Sequence, residues 1–229
     1  MVVGRPSVVV SKISNWLLKI KFMGRTIGPK NKLARRFGIS LGLKTNVAKV
    51  SRRLSQKPGV HGPNAKRASV SGYGKQLIEK QKAKIIYGLR ERQFSRYVKE
   101  ATRQVGDSGV NVLRMLETRL DNVVYRLGFA DTRAQARQMV THGMFNVNGR
   151  YLNIPSAVVK IGDVITIKEN KKQKTLFANI SEKLSKHTAP SWLFSDSALV
   201  SGKMLSLPLD TDFDKSFDVQ LIIEFYSTR

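Results

Sequence analysis

Two arginines at helical spacing are the first residues of this sequence that point to a definite chemistry. Arg133 and Arg137 lie four positions apart, so on a helix they share one face. Guanidinium groups present paired donors that match the oxygens of a phosphate. A cationic face for phosphate is one interpretation. The other is ordinary ion pairing with Glu117, Asp121 and Asp131, and the spacing alone gives the two equal weight.

Residues that could support catalysis or hold a metal are few. The chain has no cysteine, and its histidines, His61, His142 and His187, do not pair at metal-ligand spacing. Disulfides, thiolate metal sites and cysteine nucleophiles are thereby excluded. The phosphate-binding glycine loops and the serine nucleophile motif are missing as well. We therefore predict no catalytic residues, no metal and no cofactor.

The strongest signal is the excess of positive charge. The 229 residues include 41 Lys and Arg against 16 Asp and Glu, a net charge of +25. Residues 1–106 hold 25 of the basic residues and only 3 acids. Such a chain repels itself without a polyanionic partner. Nucleic acid is the usual partner and an anionic membrane the lesser alternative; we predict no membrane partner, because no apolar run is long enough to span one.

Composition and patterning predict an α+β protein in four parts. Residues 1–22 are basic, acid-free and amphipathic, and three interpretations stay open: a targeting presequence, a solvated or RNA-bound tail, or a translation start at Met23. A mostly helical domain is predicted over 23–114 and a small α+β domain over 115–215. A C-terminal strand region, 216–229, is predicted to pack back on the first domain.

The α+β domain is predicted to position the arginines. An apolar period over 111–127 predicts one amphipathic helix, which carries two more arginines. Thr132 and Gln135 form a capping box that begins a second helix, and Asn148-Gly149 predicts a hairpin after it. Two helices and a small hairpin thus make a compact unit with one basic face.

The first half is predicted to be partly irregular. Glycine, proline and basic residues make 24–71 an irregular basic surface that its ligand helps to order. Two helices follow over 73–104, with a break at Gly88. Residues 106–109 are predicted to be a linker.

Three stretches of the second half resemble the small RNA-binding "S-four" domain. They are Glu117–Gly128, Thr132–Gln138 and Phe145–Gly149. That domain also occurs in pseudouridine synthases, some aminoacyl-tRNA synthetases and a heat-shock protein that binds ribosomal particles. By itself, this resemblance implies RNA binding and little more.

The motifs in the first half point to a single family, unlike the widely shared S-four domain. Stretches in the order of the family resemble bacterial-type small-subunit ribosomal protein four: Gly28–Arg36, Pro58–Gly62, Tyr73–Lys82 and Tyr87–Phe94, with Gln220–Tyr226 resembling its closing strand. The resemblance runs from Met23 to near the C-terminus. Residues 1–22 lie outside it, and the N-terminal cysteine set of some relatives is missing here.

The resemblance implies a structural role in the small ribosomal subunit. Family members bind the 5′ domain of small-subunit rRNA early and help to nucleate assembly. They lie near the path by which mRNA enters, beside ribosomal proteins three and five. The expected location is the ribosome of the cytoplasm, or of an organelle if residues 1–22 are a presequence.

The resemblance also implies RNA contacts at residues within these motifs and close to them. In the first half these are Lys30, Lys32, Arg35, Arg36, Arg52, Arg53, Lys57, His61, Lys66, Arg67, Tyr73, Gln76, Lys80, Lys84 and Arg92. In the second half they are Arg119, Thr132, Arg133, Arg137, Gln138, His142 and Asn148.

Two other functions use the same small domain. An RNA-modifying enzyme needs a catalytic domain with a buried aspartate, but the first half has no acid before Glu79. An RNA chaperone that binds stalled ribosomes needs only the small domain, which leaves the helical half unexplained. Both are therefore disfavoured.

Overall fold

The computed structural model describes residues 28–62, 70–214 and 216–227. The predictions for residues 1–22, Lys66 and Arg67 lie outside these ranges. The helices are α1 (Lys30–Phe37), α2 (Val47–Ser51), α3 (Gly72–Ile86), α4 (Glu91–Ala101), α5 (Ser108–Glu117), α6 (Leu120–Arg126), α7 (Arg133–Thr141), α8 (Glu169–Lys172), α9 (Ile180–Lys186) and α10 (Val219–Ser227). The strands are β1 (Phe145–Val147), β2 (Arg150–Tyr151), β3 (Val164–Ile167), β4 (Leu193–Asp196) and β5 (Ser201–Met204). Short 3-10 turns lie at Thr175–Phe177 and Asp210–Asp212.

The strands form one antiparallel sheet in the order β2-β1-β3-β5-β4. The hairpin between β1 and β2 turns at Asn148 and Gly149, whose φ angles are 50° and 75°. Positive φ at both positions matches the right-handed strand twist, and it explains the Asn-Gly pair. The predicted hairpin, the β3 strand and the α+β class are confirmed.

Two apolar cores correspond to the two halves of the chain. In one, Leu120, Val124 and Phe145 belong to the cluster between α6, α7 and the sheet. In the other, Phe94 and Ile222 join α4 and α10 to the remaining helices of the first half. The first half therefore completes its core with the C-terminal residues.

The C-terminal segment is a helix, so the predicted strand is wrong. Ile222 and Phe225 are three positions apart and both are buried, next to α3, α4 and α5. The apolar run has high strand propensity, but a helix buries these side chains on one face against other helices. Tertiary packing therefore overrides local propensity.

The single helix predicted over 111–127 is two helices. The chain breaks at Thr118 and Arg119, where backbone groups pair with the passing segment 157–159: Val159 N donates to Thr118 O at 2.9 Å. These pairings satisfy peptide groups that a continuous helix would satisfy internally. The apolar period alone did not reveal this competing partner.

Two shorter predictions also need correction. The 106–109 linker contains the start of α5, because Asp107 Oδ1 accepts from Gly109 N at 2.8 Å and caps the helix. The irregular surface predicted over 24–71 holds two short helices, α1 and α2. Both were hidden by the local richness in glycine, serine and basic residues.

A buried glycine of the sheet gives a test of this packing. An added Cβ at Gly202 in β5 would overlap the fully buried side chain of Leu127. We expect Gly202→Ala to lower the free energy of unfolding by about 1–3 kcal/mol through overpacking. Lys203→Ala, at an exposed neighbouring position, should change it by less than about 0.5 kcal/mol. Urea unfolding followed by circular dichroism measures both, and equal values would contradict the packing described.

Candidate nucleic-acid interface

A groove of about 540 Å³ lies between the two halves. One wall comes from α1 and the α3–α4 connection, including Lys30, Tyr87 and Gly88. The other wall comes mainly from α6 and α7. The polar residues of α7 and its end that line the groove are Thr132, Arg133, Gln135, Arg137, Gln138, Thr141 and His142.

Helix α7 carries the polar wall because its ends are fixed. Thr132 Oγ1 accepts from Gln135 N at 3.2 Å, as the predicted capping box requires. The return bond differs, since Gln135 Oε1 accepts from Asp131 N rather than from Thr132 N. The helix ends at His142, which is exposed, as is Gln138 one turn earlier. Both residues line the groove.

A buried carboxylate lies beneath the groove. Glu117, at the end of α5, is 1% exposed. It accepts from Tyr87 Oη at 2.6 Å, from Asn122 Nδ2 at 2.7 Å and from Arg126 Nε and Nη2, both at 2.9 Å. Arg133 Nη2 lies 4.0 Å from the same carboxylate. One acid thus joins α3, α5, α6 and α7.

The electrostatics of this cluster favour the ionised carboxylate. Burial by itself raises the pKa of Glu117, but the hydrogen bonds and charge of Arg126, with the charge of Arg133, outweigh it and hold that pKa below its ordinary value. Burial, and then the charge of Glu117, raise the pKa of Tyr87 well above its ordinary value. Tyr87 therefore stays a neutral hydrogen-bond donor to Glu117.

A second ion pair continues the cluster towards α4. Arg119 is fully buried and donates to both oxygens of Asp121, at 3.2 and 3.0 Å, and to Tyr97 Oη. Arg137 Nη1 lies 3.4 Å from Asp121 Oδ2 and 3.4 Å from the Gly88 carbonyl. Arg137 therefore links α7 to both halves while its side chain keeps 34% exposure.

Arg133 and Arg137 each fit one of the two interpretations, ion pairing within the protein and an accessible cationic face, only in part. Arg133 donates to Asn122 Oδ1 at 2.8 Å, stacks over the rings of Tyr87 and Tyr125, and keeps 12% side-chain exposure. Its main contacts are structural. Both arginines line the groove, and Arg137 is the more accessible of the pair.

Several residues expected to contact RNA have structural contacts instead. Arg119 is wholly buried in its ion pair, and Thr132 is buried as the α7 cap. Arg35 donates to the carbonyls of Gln56 and Lys57, both at 3.0 Å, and so holds the following turn against α1. The structure thus gives these three residues partners within the protein, as buried polar groups require, and their RNA contacts stay predictions.

Lys80 and Lys84, also expected to contact RNA, have partners within the protein as well. Both are buried, and each lies 2.9 Å from a different oxygen of Glu91. Tyr226 Oη donates to Glu91 at 2.7 Å, and Lys80 lies 4.1 Å from the ring centre of Phe225. The two lysines therefore fasten α3 to α4 and α10.

Other expected sites divide between turn-forming and exposed positions. Asn148 shapes the hairpin by bonding Asp163 and Val164 N, at 2.7 and 2.9 Å. Gln76 donates to Glu224 at 3.1 Å, and Tyr73 packs near Phe225. The expected contact residues that are exposed are Lys32, Arg36, Arg52, Arg53, Lys57, His61, Tyr73, Arg92, Gln138, His142 and Asn148. Lys30, at the groove, is half-buried.

The sequence analysis did not identify the residues that organise the groove. The pairing of Glu117 with Tyr87, Asn122 and Arg126 joins residues up to 30 positions apart, which no local spacing reveals. Over residues 28–62, 70–214 and 216–227, no cluster of three or more acidic or histidine side chains could hold a metal. In the same ranges no helix is long and apolar enough to cross a membrane.

Removing the Glu117 charge tests whether it fixes the groove. Glu117→Gln keeps the shape but leaves Arg126 without its anion and removes one of the two carboxylates near Arg133, the other being Asp214 at 3.7 Å. We therefore expect a loss of about 3–5 kcal/mol in the free energy of unfolding. Asp131→Asn is the control, since its pair with Lys183 is exposed and 3.4 Å long; it should cost less than about 1 kcal/mol. Urea titration of both variants is the measurement. Similar small losses would refute the role given to Glu117.

The Glu91 cluster predicts a pH-dependent contribution to stability. Burial raises its pKa, but hydrogen bonds and charge from Lys80 and Lys84 outweigh this and lower the pKa from 4.5 to about 2. The stabilisation is therefore complete above about pH 5 and is lost as the pH falls towards 2. We expect Glu91→Gln to cost about 2–3 kcal/mol at pH 7.

The deficit of Glu91→Gln should shrink as urea unfolding is repeated at lower pH. Glu100→Gln, an exposed position on the same helix, should show no such trend. A deficit that stays constant between pH 6 and 2.5 would contradict the assigned ion pairs.

Comparison with known proteins agrees with this architecture. Residues 25–117 match the Ribosomal protein S4/S9 N-terminal domain family, and residues 118–165 match the S4 domain family. The boundary between them falls at the break between α5 and α6. The two matched regions thus contribute opposite walls of the groove and opposite sides of the Glu117 cluster.

Full-length relatives extend the match over most of the chain. The chain is 48% identical over 207 residues to the small ribosomal subunit protein uS4 of Roseiflexus castenholzii, covering 90% of this chain and all of the relative. It is 48% identical over 207 residues to the uS4 of Chloroflexus aurantiacus and over 209 residues to that of Caldicellulosiruptor bescii, with the same coverage. These relatives are structural ribosomal proteins and not enzymes. The chain therefore belongs to the uS4 family of small ribosomal subunit proteins, and it carries the S4 RNA-binding domain of that family.

Proposed function

We propose that this chain binds the 5′ domain of small-subunit rRNA through the groove between its two halves. The observation that carries the proposal is that two facing walls present polar donors to one groove: Lys30 on one side, and Arg137, Gln138 and His142 on the other. The buried ion pairs beneath the groove set the distance between these walls before RNA arrives. Preorganisation of this kind lowers the entropy cost of binding.

The donors of the groove suit recognition of a folded RNA better than reading of a base sequence. Arg137 offers paired donors to a phosphate, while Gln138 and His142 can bond to 2′-hydroxyl or phosphate oxygens. The aromatic rings of Tyr87 and Tyr125 are occupied by Arg133. Recognition by shape, phosphates and 2′-hydroxyls is the mode expected for structured rRNA.

The exposed cations of α1 and the turn after α2 extend this surface. Lys32 and Arg36 on α1, and Arg52, Arg53 and Lys57 after α2, are exposed. Because Arg35 holds that turn against α1, these charges keep a fixed arrangement. They supply the long-range attraction that steers an RNA to the groove.

We further propose that the chain binds its rRNA early in assembly and lies near the path by which mRNA enters. Ribosomal proteins three and five are the proposed neighbours, and the bacterial origin of the relatives named above supports a cytoplasmic ribosome. Cross-linking of subunits reconstituted with this chain tests the neighbours. Omitting the chain tests the order, since later proteins should then fail to bind. Stable subunits without it, or cross-links to other neighbours only, would contradict this placement.

The rRNA proposal is tested by filter binding to a refolded 5′-domain fragment, with bulk tRNA as competitor. We expect binding that survives the competitor, and a log–log dependence on salt with a slope of roughly −5 or steeper. The triple variant Lys30→Gln, Arg137→Gln, His142→Gln should bind at least about tenfold more weakly.

The matched control removes three lysines of the second half that do not line the groove, in and just after α8: Lys171→Gln, Lys172→Gln and Lys174→Gln. It should bind within about twofold of the unchanged protein. Equal affinity for the rRNA fragment and for tRNA would refute specific recognition. An equal loss in the control would refute the groove as its site.

A further inference from the structure

The outer face of α4 carries a stripe of unpaired positive charge. Arg92, Arg96, Lys99 and Arg103 follow one another at spacings of four, three and four residues. At about 100° per residue, Arg92, Arg96 and Lys99 fall within about 60° of the circumference of α4 and span about 10 Å. Arg103 lies in the turn that follows the end of the helix at Ala101. All four are exposed and line a shallow depression with Ser95 and Glu100. We call these four residues the α4 stripe; only Arg92 was expected from the sequence to contact RNA.

The opposite face of the same helix explains why the stripe must stay in solvent. Phe94, Val98 and Ala101 are buried in the core of the first half. Because they lie across the helix from the stripe, α4 cannot rotate to bury or separate the four cations. The geometry of the core thus fixes the row of charges at the surface.

Within the described part of the chain, the interior cations have carboxylate partners, whereas the cations of the stripe do not. Lys80, Lys84, Arg119 and Arg126 each lie within 3.0 Å of a carboxylate. In the residues that the structure describes, no carboxylate forms an ion pair with a member of the stripe. Glu100, at its margin, is the one acid of the depression. Like charges at these spacings repel each other along a helix.

From this arrangement we propose that the α4 stripe is a second RNA-binding surface, which binds the phosphate backbone of an RNA segment other than the one in the groove. The proposal rests on the proposed function above. A row of four exposed cations fits several consecutive phosphates or two strands across a groove of an RNA helix. Bound phosphates remove the repulsion within the stripe.

The α4 stripe and the groove are separate surfaces, because they are lined by different residues. The groove is lined by α1, α6, α7 and the α3–α4 connection, and the stripe depression only by residues 92–103; no residue lines both. An anionic membrane fits the stripe less well, because a membrane-surface helix needs an apolar face to insert, and the apolar face of α4 is already buried.

The test replaces all four stripe residues by glutamine and measures binding to the 5′-domain fragment across salt. Since each phosphate contact contributes about one unit to the log–log slope, we expect the slope to become shallower by about three to four. Hydroxyl-radical footprinting should show lost protection at nucleotides that the Lys30, Arg137, His142 variant still protects. The circular dichroism and melting temperature should be unchanged.

The control carries the same charge change elsewhere: Lys171→Gln, Lys172→Gln, Lys174→Gln and Lys186→Gln. If it flattens the slope as much as the stripe variant, the effect is generic charge and the proposal is wrong. Loss of protection at the same nucleotides as in the groove variant would also overturn it. So would tighter binding of the stripe to anionic vesicles than to RNA.

These outcomes separate the two proposals. Unchanged affinity, slope and footprint in the stripe variant would reject the second surface while the groove variant still reports specific binding. If the unchanged protein fails to distinguish the rRNA fragment from tRNA, the proposed function itself is wrong.

Discussion

The structure depends on one buried carboxylate that is shared by its two halves. Glu117 ends a helix of the first half, yet its partners Asn122, Arg126 and Arg133 belong to the second. A buried charge without partners would cost several kcal/mol. The halves therefore stabilise each other's interior charges, and a relative movement that broke these contacts would expose that cost.

This constraint gives the groove its shape. Tyr87 and Gly88 on one wall contact residues attached to the other, through Glu117 and Arg137. These contacts lie beneath the donors that line the groove, Lys30 on one wall and Gln138 and His142 on the other. In a protein of net charge +25, the few acids thus have a disproportionate role: those in the interior organise cations, while the surface keeps its excess positive charge for a polyanion.

Much of this could be predicted from the sequence wherever local signals and tertiary packing agree. The Asn148-Gly149 hairpin and the Thr132 cap follow from backbone chemistry that acts over a few residues, and both are present. The two helices broken near Gly88 follow from apolar spacing. The resemblance of the motifs, rather than spacing alone, identified the family.

The remaining features depend on partners that are distant in sequence. The C-terminal run forms a helix because its apolar face meets α3, and the break at Arg119 exists because segment 157–159 supplies backbone partners. The same reason explains the contacts of Lys84 and Arg119. Both have the residue type of phosphate ligands, but they pair with acids inside the protein. Charge type is visible in a sequence, whereas burial and pairing are not.

The central claim is that the two halves form one rigid unit before RNA binds, and an interspin distance tests it most directly. Because the chain has no cysteine, Lys75→Cys on α3 and Ser181→Cys on α9, both exposed, can be spin-labelled without further changes. Pulsed electron resonance should then give one narrow distance distribution that is the same with and without the rRNA fragment. A broad or two-peaked distribution in the free protein, narrowing only when RNA is added, would contradict the account.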